Sequence, residues 1–248
     1  MTPARATYLH RFVILRTFMQ WVSRQHGTPD PFLTLKPPRQ QTARNWLTRD
    51  EFLQILKAAE HPPRKLAGLV ERDRLVLLAI VMAGLGRYEL MAARWANIDL
   101  DTRPATLEIH AGLGRTPRTQ PLPVQLCAEL QRWRELRQPS SVGHVFCGLK
   151  GGRLQTYTLE QIITRATSRA GLEKNVSAGM LRQTGATWLR QGGAATWLTA
   201  EYLGHTDSPT TRYGHKPEDL RAALQKIADY ITNNQPITVH RKRLTTYD

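Results

Sequence analysis

The stretch AGLGRYELMAARW at residues 83–95 and the stretch LRQTGATWLRQ at residues 181–191 decide the fold. Both carry apolar residues at the spacing of an amphipathic helix. In the first stretch we expect Gly84 to serve close packing or a special backbone angle, since glycine tolerates both. The sequence predicts three helices here, over residues 73–83, 87–94 and 179–191.

Helices dominate the rest of the chain as well. Further helices are predicted over residues 7–26, 124–138, 159–170, 197–203 and 217–233, and one begins near residue 47. A strand pair interrupts them, because residues 106–110 alternate in polarity and residues 118–122 return after the glycine-rich residues 112–114. The predicted fold class is therefore mainly α with a small β-hairpin (α+β).

A linker separates the first predicted helix from the others. Residues 28–42 contain four prolines, which a helix does not tolerate. Thr48 then precedes Glu51 by three residues, the pattern of a capping box at a helix start. We expect two parts, a short helical segment with its linker at residues 1–46 and a larger domain at residues 47–248.

The charge balance indicates a polyanionic partner. The chain has 35 Lys and Arg residues against 20 Asp and Glu residues, a formal net charge of +15. Its longest apolar run, residues 75–83, is shorter than the roughly 18 residues that span a bilayer. We expect a cytosolic protein that does not bind a membrane. Two cysteines, Cys127 and Cys147, are too few for a disulfide framework or a zinc site.

Four local patterns follow one another in an order that is more specific than any one of them. They are GLGRYEL at residues 84–90, RTQPL at residues 118–122, LRQTGAT at residues 181–187, and LGH at residues 203–205 followed by Tyr213. Together they resemble the catalytic domain of the tyrosine recombinases, or phage integrases, over residues 44–233. Residues 7–46 resemble a shortened form of that family's N-terminal, core-DNA-binding domain.

The resemblance implies a reaction on double-stranded DNA. In this family a tyrosine hydroxyl attacks a backbone phosphate and forms a 3′-phosphotyrosine, with no metal ion or nucleotide cofactor. Fixed donors of the protein must then neutralise the phosphate. Arginine suits this role because its planar guanidinium group can contact two phosphate oxygens at once. The implied function is DNA recombination and integration.

The resemblance also implies roles for single residues. The expected catalytic residues are Tyr213, Arg182, His205 and Arg87, and the expected DNA-binding residues of the hairpin are Arg115 and Arg118. Tyr213 would be the nucleophile, Arg182 a phosphate-binding arginine and His205 a further donor or base. Arg87 lies one residue after the position of the family's first arginine. Glu89 is expected to pair a nearby arginine.

The chain departs from the family's pattern at positions that carry the chemistry. Gly86 stands where the family has its first arginine, and Gly179 where it has histidine or lysine. Leu113 stands where a hairpin lysine would protonate the leaving oxygen. Tyr213 follows His205 by eight residues instead of the usual nine. We therefore expect catalysis to be weak or lost, and whether the chain is an enzyme stays open.

Two functions fit these residues. One is a site-specific recombinase or integrase of a mobile element; the other is a DNA-binding regulator that kept the fold and lost the reaction. Arg182 also fits an ordinary ion-paired arginine, His205 a packing or capping histidine, and Tyr213 a half-buried aromatic residue. The apolar stripe of the helix at 217–233 fits either a neighbouring protomer in a homo-oligomer on DNA or the chain's own domain.

Overall fold

The computed structural model describes residues 5–35, 45–61, 69–110, 117–137, 143–148, 151–204 and 217–233. These residues belong to two units, Met1–Arg44 and Asn45–Asp248. The first unit contains helix α1 (Arg5–His26), which the sequence predicted at 7–26. After the helix ends, the ring of Phe32 packs edge-on against Phe12, with 5.4 Å between the ring centroids. Its role as a core-DNA-binding segment stays a prediction.

The described part of the second unit is built mainly from helices. They are α2 (Arg49–Ala59), α3 (Val70–Ala83), α4 (Arg87–Ala92), α5 (Val124–Arg137), α6 (Thr156–Arg169), α7 (Ala178–Gln191), α8 (Thr196–Tyr202) and α9 (Pro217–Asn233), with a 3₁₀ turn at Trp95–Asn97. Each helix predicted from the sequence is present, with ends that shift by a few residues. The predicted fold class, mainly α with a small sheet, is confirmed.

The predicted capping box starts α2. The Thr48 hydroxyl accepts a hydrogen bond from the Glu51 amide at 3.2 Å, and a Glu51 carboxylate oxygen accepts one from the Thr48 amide at 2.7 Å. A related bond starts α4, where the Gly86 amide donates to Glu89 Oε2 at 2.6 Å. The Gly86 amide is one of those that a helix start leaves without a partner inside the helix, and its bond ties Glu89 to the first turn of α4.

Within the described residues, three antiparallel strands form the sheet, in the order β1 (Ile98–Asp99), β2 (Thr106–Ile109) and β3 (Arg118–Pro121). In the β2–β3 hairpin Thr106 pairs with Pro121, and Ile109 pairs with Arg118. The hairpin was predicted. Strand β1 was missed, because two residues are too few to show the alternation that identifies a strand. The predicted turn at residues 112–114 lies outside the described residues.

Helix α3 is the centre of the core. All of residues 75–83 are buried, and the helix packs against α5, α7 and α9. The apolar run is therefore a buried helix, as its length predicted. At its start the Arg72 guanidinium binds the Asp73 carboxylate at 2.6 Å and the Cys147 carbonyl oxygen at 2.9 Å, so this buried charge is paired. None of the described helices is long and apolar enough to cross a membrane.

The ring of Tyr202, at the end of α8, packs into space that two glycines leave open. A Cβ atom at Gly185 would lie 2.1 Å from the Tyr202 hydroxyl, and one at Gly84 would lie 2.6 Å from the Tyr202 carbonyl oxygen. Gly84 also has a φ of +63°, a conformation that favours glycine. The expected packing and backbone role of Gly84 is thus visible in the structure. The buried hydroxyl donates to the Val81 carbonyl oxygen at 2.8 Å.

Helix α9 packs on its own domain. Its apolar stripe is almost fully buried and comprises Leu220, Ala223, Leu224, Ile227, Ala228 and Ile231. The helix contacts α3, α5, α7 and α8. Of the two arrangements open from the sequence, the structure contains the second, in which the chain covers the stripe itself.

Two glycines of α7 allow a matched test of how Tyr202 packs against Gly185. We expect Gly185→Ala to lower the free energy of unfolding by about 1–3 kcal/mol, because the added methyl group meets the Val81 carbonyl oxygen at 2.5 Å as well as Tyr202. Gly179→Ala is the same change in the same helix, where a Cβ meets only Ser177 Oγ at 3.7 Å. It should leave stability unchanged or slightly raised. Urea unfolding measures both, and equal effects would contradict this account.

Candidate active site

Glu89 is the centre of a buried charge cluster. Arg118 binds its carboxylate with both terminal nitrogens, NH1 at 2.7 Å from Oε1 and NH2 at 3.2 Å from Oε2. Arg182 NH2 lies 3.8 Å from the same Oε2 atom. Only 2% of the Glu89 side chain is exposed. The predicted pairing of Glu89 with a nearby arginine is therefore present, and two arginines share the carboxylate.

Arg182 reaches this cluster from the middle of α7. The helix begins at Ser177, whose hydroxyl accepts a hydrogen bond from the Met180 amide at 3.2 Å. Arg182 is largely buried and donates to the Leu203 carbonyl oxygen at the end of α8. Burial among these partners fixes the direction of the guanidinium group, as a phosphate-binding role requires.

Arg118 reaches the cluster from the first residue of β3. Alternation along the strand puts it on the same face as the fully buried Gln120, whose Oε1 accepts a hydrogen bond from Arg118 Nε at 3.3 Å. The guanidinium group also lies against the backbone of Gly204, where a Cβ would be only 2.3 Å from Arg118 NH1. Gly204 directly precedes His205 in the sequence.

A cavity of about 460 Å³ opens beside this cluster. Its walls include Gly86 and Arg87 at the start of α4, Gly179 and Arg182 on α7, and Glu160 on α6. The sequence comparison with the family had singled out four of these five positions from separate motifs. The structure brings them to the wall of one cavity.

Arg87 and Gly179 contribute differently to this cavity. Arg87 forms an ion pair with Glu160 at 3.0 Å, with 42% of the Arg87 side chain exposed. Exposed ion pairs contribute about 0–1 kcal/mol, so Arg87 can exchange Glu160 for a phosphate at little cost. Gly179 leaves an open space in the wall, since a Cβ there meets only Ser177. The catalytic role predicted for Arg87 stays a prediction.

Several predicted site residues, Arg115, His205 and Tyr213 among them, lie outside the described residues, and so does Leu113. Tyr202 offers no alternative nucleophile, because burial raises the pKa of its hydroxyl and that hydroxyl is bound to Val81. Across the described ranges, no group of three or more His, Cys, Asp or Glu side chains is arranged to hold a metal ion.

The charge cluster holds Glu89 ionised. Burial alone would raise the pKa of Glu89, but the hydrogen bond and charge of Arg118, the Gly86 amide and the charge of Arg182 outweigh it. They lower the pKa from 4.5 to about 2. The carboxylate therefore stays charged throughout the physiological range and keeps both arginines in place.

Comparison with known proteins settles the family. Residues 45–219 match the model of the phage integrase family. This chain belongs to that family. Its similarity to curated members includes 29% identity over 208 residues to the tyrosine recombinase XerC of Xanthomonas axonopodis pv. citri, covering 83% of this chain and 66% of that protein. A second is 32% identity over 169 residues to XerD of Mycobacterium tuberculosis, covering 67% and 54%.

Solved structures of other proteins share the fold. The XerH site-specific recombinase, in a post-cleavage complex with a palindromic difH substrate, matches with a TM-score of 0.63 and 24% identity, over 89% of this chain and 64% of that one. A lambda integrase dimer bound to a COC' core site matches with a TM-score of 0.58 and 19% identity, over 88% and 63%. This chain spans less than two thirds of the length of these relatives.

Sequence reasoning missed how Arg118 is placed within this integrase fold. It assigned Arg118 to DNA binding from the hairpin motif, without a link to Glu89 or Arg182. Strand alternation was the available signal, because it puts Arg118 on the inward face with Gln120. The DNA-binding role itself stays a prediction. Glu160 on the cavity wall was also missed, since nothing in its local sequence marks it.

The Glu89 cluster predicts how stability changes with pH. Because the pKa of Glu89 falls from 4.5 to about 2 on folding, its stabilisation is present above pH 4.5 and is lost as pH falls toward 2. We expect the difference in unfolding free energy between the unmodified protein and Glu89→Gln to shrink by about 2 kcal/mol between pH 6 and pH 3.

Urea unfolding at the two pH values measures this difference. Glu160→Gln is the matched control, because Glu160 is exposed and its pair with Arg87 is screened by solvent. Its effect on the free energy of unfolding should be small at both pH values. A constant difference for Glu89→Gln would contradict the cluster as described.

Proposed function

We propose that this chain is a tyrosine-type site-specific DNA recombinase or integrase that binds duplex DNA in the cytoplasm and cleaves it slowly. The observation that supports this most is the buried cluster of Arg182, Arg118 and Glu89 beside an open cavity. Two guanidinium groups against one carboxylate leave one net positive charge in a confined space. Such a site is suited to one phosphodiester, and the net charge of +15 suits the surrounding DNA.

The proposed reaction exchanges one phosphoester bond for another. The Tyr213 oxygen bonds to phosphorus while the bond from phosphorus to the 5′-oxygen breaks. The tyrosine proton passes to a base, for which His205 is the candidate, and the leaving 5′-oxygen takes up a proton. No redox change occurs, and the 3′-phosphotyrosine conserves the ester for rejoining. Arg182 would stabilise the charge on the non-bridging oxygens. Arg87, next to the position of the family's first arginine, and Arg118, bound to the same Glu89 carboxylate as Arg182, are the candidates for a second cation.

Slow cleavage follows from the donors that are missing. Gly179 offers no side chain to the cavity, and Gly86 offers none at the position of the family's first arginine. Leu113 cannot protonate the leaving oxygen. Loss of one preorganised donor typically slows an active site on the order of a hundred- to a thousand-fold. These losses are not additive, but together they predict a low rate.

A DNA-binding regulator is the second candidate, and the same two glycines favour it. The cluster around Glu89 binds an anion whether or not a tyrosine attacks it. For either function we propose that residues 1–46 add DNA contacts and that residues 47–248 form the catalytic-type domain. We also propose that the protein assembles as a homo-oligomer on DNA. Use of the α9 stripe in that assembly would require α9 to leave its own domain.

DNA binding should depend strongly on salt. Because Lys and Arg contacts release counterions from DNA, we expect affinity for a mixed-sequence duplex to fall by at least about tenfold between low and physiological salt. Arg182→Ala should weaken binding further, since it removes a phosphate contact. Fluorescence anisotropy at several salt concentrations measures both. An affinity that does not change with salt would count against the proposal.

Covalent trapping tests the chemistry. A nicked duplex carrying the site that the protein selects from random-sequence DNA should trap the 3′-phosphotyrosine slowly, and Tyr213→Phe should abolish trapping. Gly179→His places a donor in the open wall of the cavity and should raise the trapping rate on the order of 10- to 100-fold.

Gly179→Ala is the matched control for that gain, because it fills the same space without a donor. It should leave the rate unchanged. Gel-shift analysis of the covalent complex gives the rates. Trapping that survives in Tyr213→Phe would refute Tyr213 as nucleophile, whereas no trapping in any variant, with intact binding, would favour the regulator.

A further inference from the structure

Arg118 lies near Gly86, which has no side chain, because the Gly86 amide and Arg118 NH2 donate to the same Glu89 oxygen. Its guanidinium group and that of Arg182 approach the same Glu89 oxygen, at 3.2 and 3.8 Å. We propose that Arg118 is the second phosphate-binding arginine of this site and supplies from β3 the cation that the family's motif places at position 86. This proposal rests on the proposed function and adds to it a catalytic residue that contacts the cleaved phosphate together with Arg182.

The guanidinium group of Arg118 is held in place before DNA binds. Its Nε donates to Gln120, and its two terminal nitrogens donate to the two oxygens of Glu89. Arginine has five N–H groups. The remaining two have no partner within the described residues, and 12% of the side chain is exposed. A phosphate oxygen could therefore accept a hydrogen bond from Arg118 without displacing Glu89.

Gly204 provides the space that this placement needs. Because a Cβ there would lie 2.3 Å from Arg118 NH1, any other residue at 204 would push the guanidinium group away. The preceding carbonyl, that of Leu203, accepts the hydrogen bond from Arg182. The end of α8 thus contacts both arginines over two consecutive residues, which fixes the two cations relative to each other.

Arg87 is the competing candidate for the same role, since it neighbours Gly86 in the sequence. Its guanidinium group is paired with Glu160 at 3.0 Å and lies 5.4 Å from the Tyr88 ring centroid. These contacts direct its guanidinium group toward Glu160 and Tyr88, and its side chain is more exposed than that of Arg118, so its position is less fixed before DNA binds. Arg118 has the buried, fixed geometry that stabilisation of a phosphate requires.

Methylphosphonate substitution tests the contact without any need for catalysis. In the duplex that the protein selects, each phosphate near the centre is replaced singly by a neutral methylphosphonate, and affinity is measured by anisotropy. For the unmodified protein we expect one position at which the loss is about tenfold, the size of a charge-assisted hydrogen bond. In Arg118→Met and in Arg182→Met one of the two cations remains, so neutralisation at that same position should have a smaller effect, about threefold.

Two further variants make the assignment specific. Gly86→Arg combined with Arg118→Met should restore the effect at that position, because Gly86 has φ −75° and ψ 160°, which any residue adopts. If Arg118→Met folds poorly, Arg87→Met, at a more exposed residue, keeps the test valid: it should retain the effect, and its loss would overturn the proposal. Arg74→Met is the matched control, since Arg74 also donates to one carboxylate with two of its nitrogens, in this case Nε and NH2 to Glu129. It should retain the full effect.

The outcomes separate the proposal from its alternatives. Arg118→Met with the unmodified pattern of effects would show that Arg118 has only a structural role and overturn the proposal. Loss of the effect in Arg87→Met but not in Arg118→Met would assign the contact to Arg87 and overturn it as well. If Arg118→Met reduces the methylphosphonate effect but no variant is trapped covalently, the phosphate contact is supported and only the cleavage function is contradicted. No affinity for any duplex would overturn both.

Discussion

The Tyr202 side chain fixes the last turn of α8, and the arrangement of the site depends on it. Its hydroxyl is bound to the Val81 carbonyl oxygen, and its ring occupies the space left by Gly84 and Gly185. The two residues after Tyr202 then contact the site, since the Leu203 carbonyl binds Arg182 and the Gly204 backbone lies against Arg118. Packing in the core therefore determines where the two cations lie.

Glu89 makes it possible to bury those two cations together. Two arginines side by side repel each other, and burial removes the water that would screen them. The carboxylate accepts hydrogen bonds from Arg118 and lies 3.8 Å from Arg182 NH2, while the Gly86 amide holds it at the start of α4. A helix start, a strand and a helix from distant parts of the sequence thus meet at one ionised group. Its lowered pKa is the result of this convergence.

The sequence predicted the helices and the hairpin because their signals are local: apolar spacing, the Thr48 capping box and the glycine-rich turn. It also predicted from the family's motifs that positions 86, 87, 179 and 182 belong to one site, and the structure places all four on one cavity. Strand β1 carried too few residues for a signal. The sharing of Glu89 between Arg118 and Arg182 could not be predicted, because it depends on the distance between β3 and α7.

The choice between recombinase and regulator depends on how much negative charge the site is built to hold. A bound phosphodiester carries one negative charge, and the cluster of Arg118, Arg182 and Glu89 carries one net positive charge, so the ground state is matched. Attack by tyrosine adds charge to the phosphate oxygens, and only interactions that strengthen in the transition state accelerate the step. Gly86, Gly179 and Leu113 are where such additional donors are missing. The proposed contact of Arg118 with the phosphate would therefore preserve phosphate binding more than it preserves the cleavage rate, which is why slow cleavage and tight binding are expected of the same site.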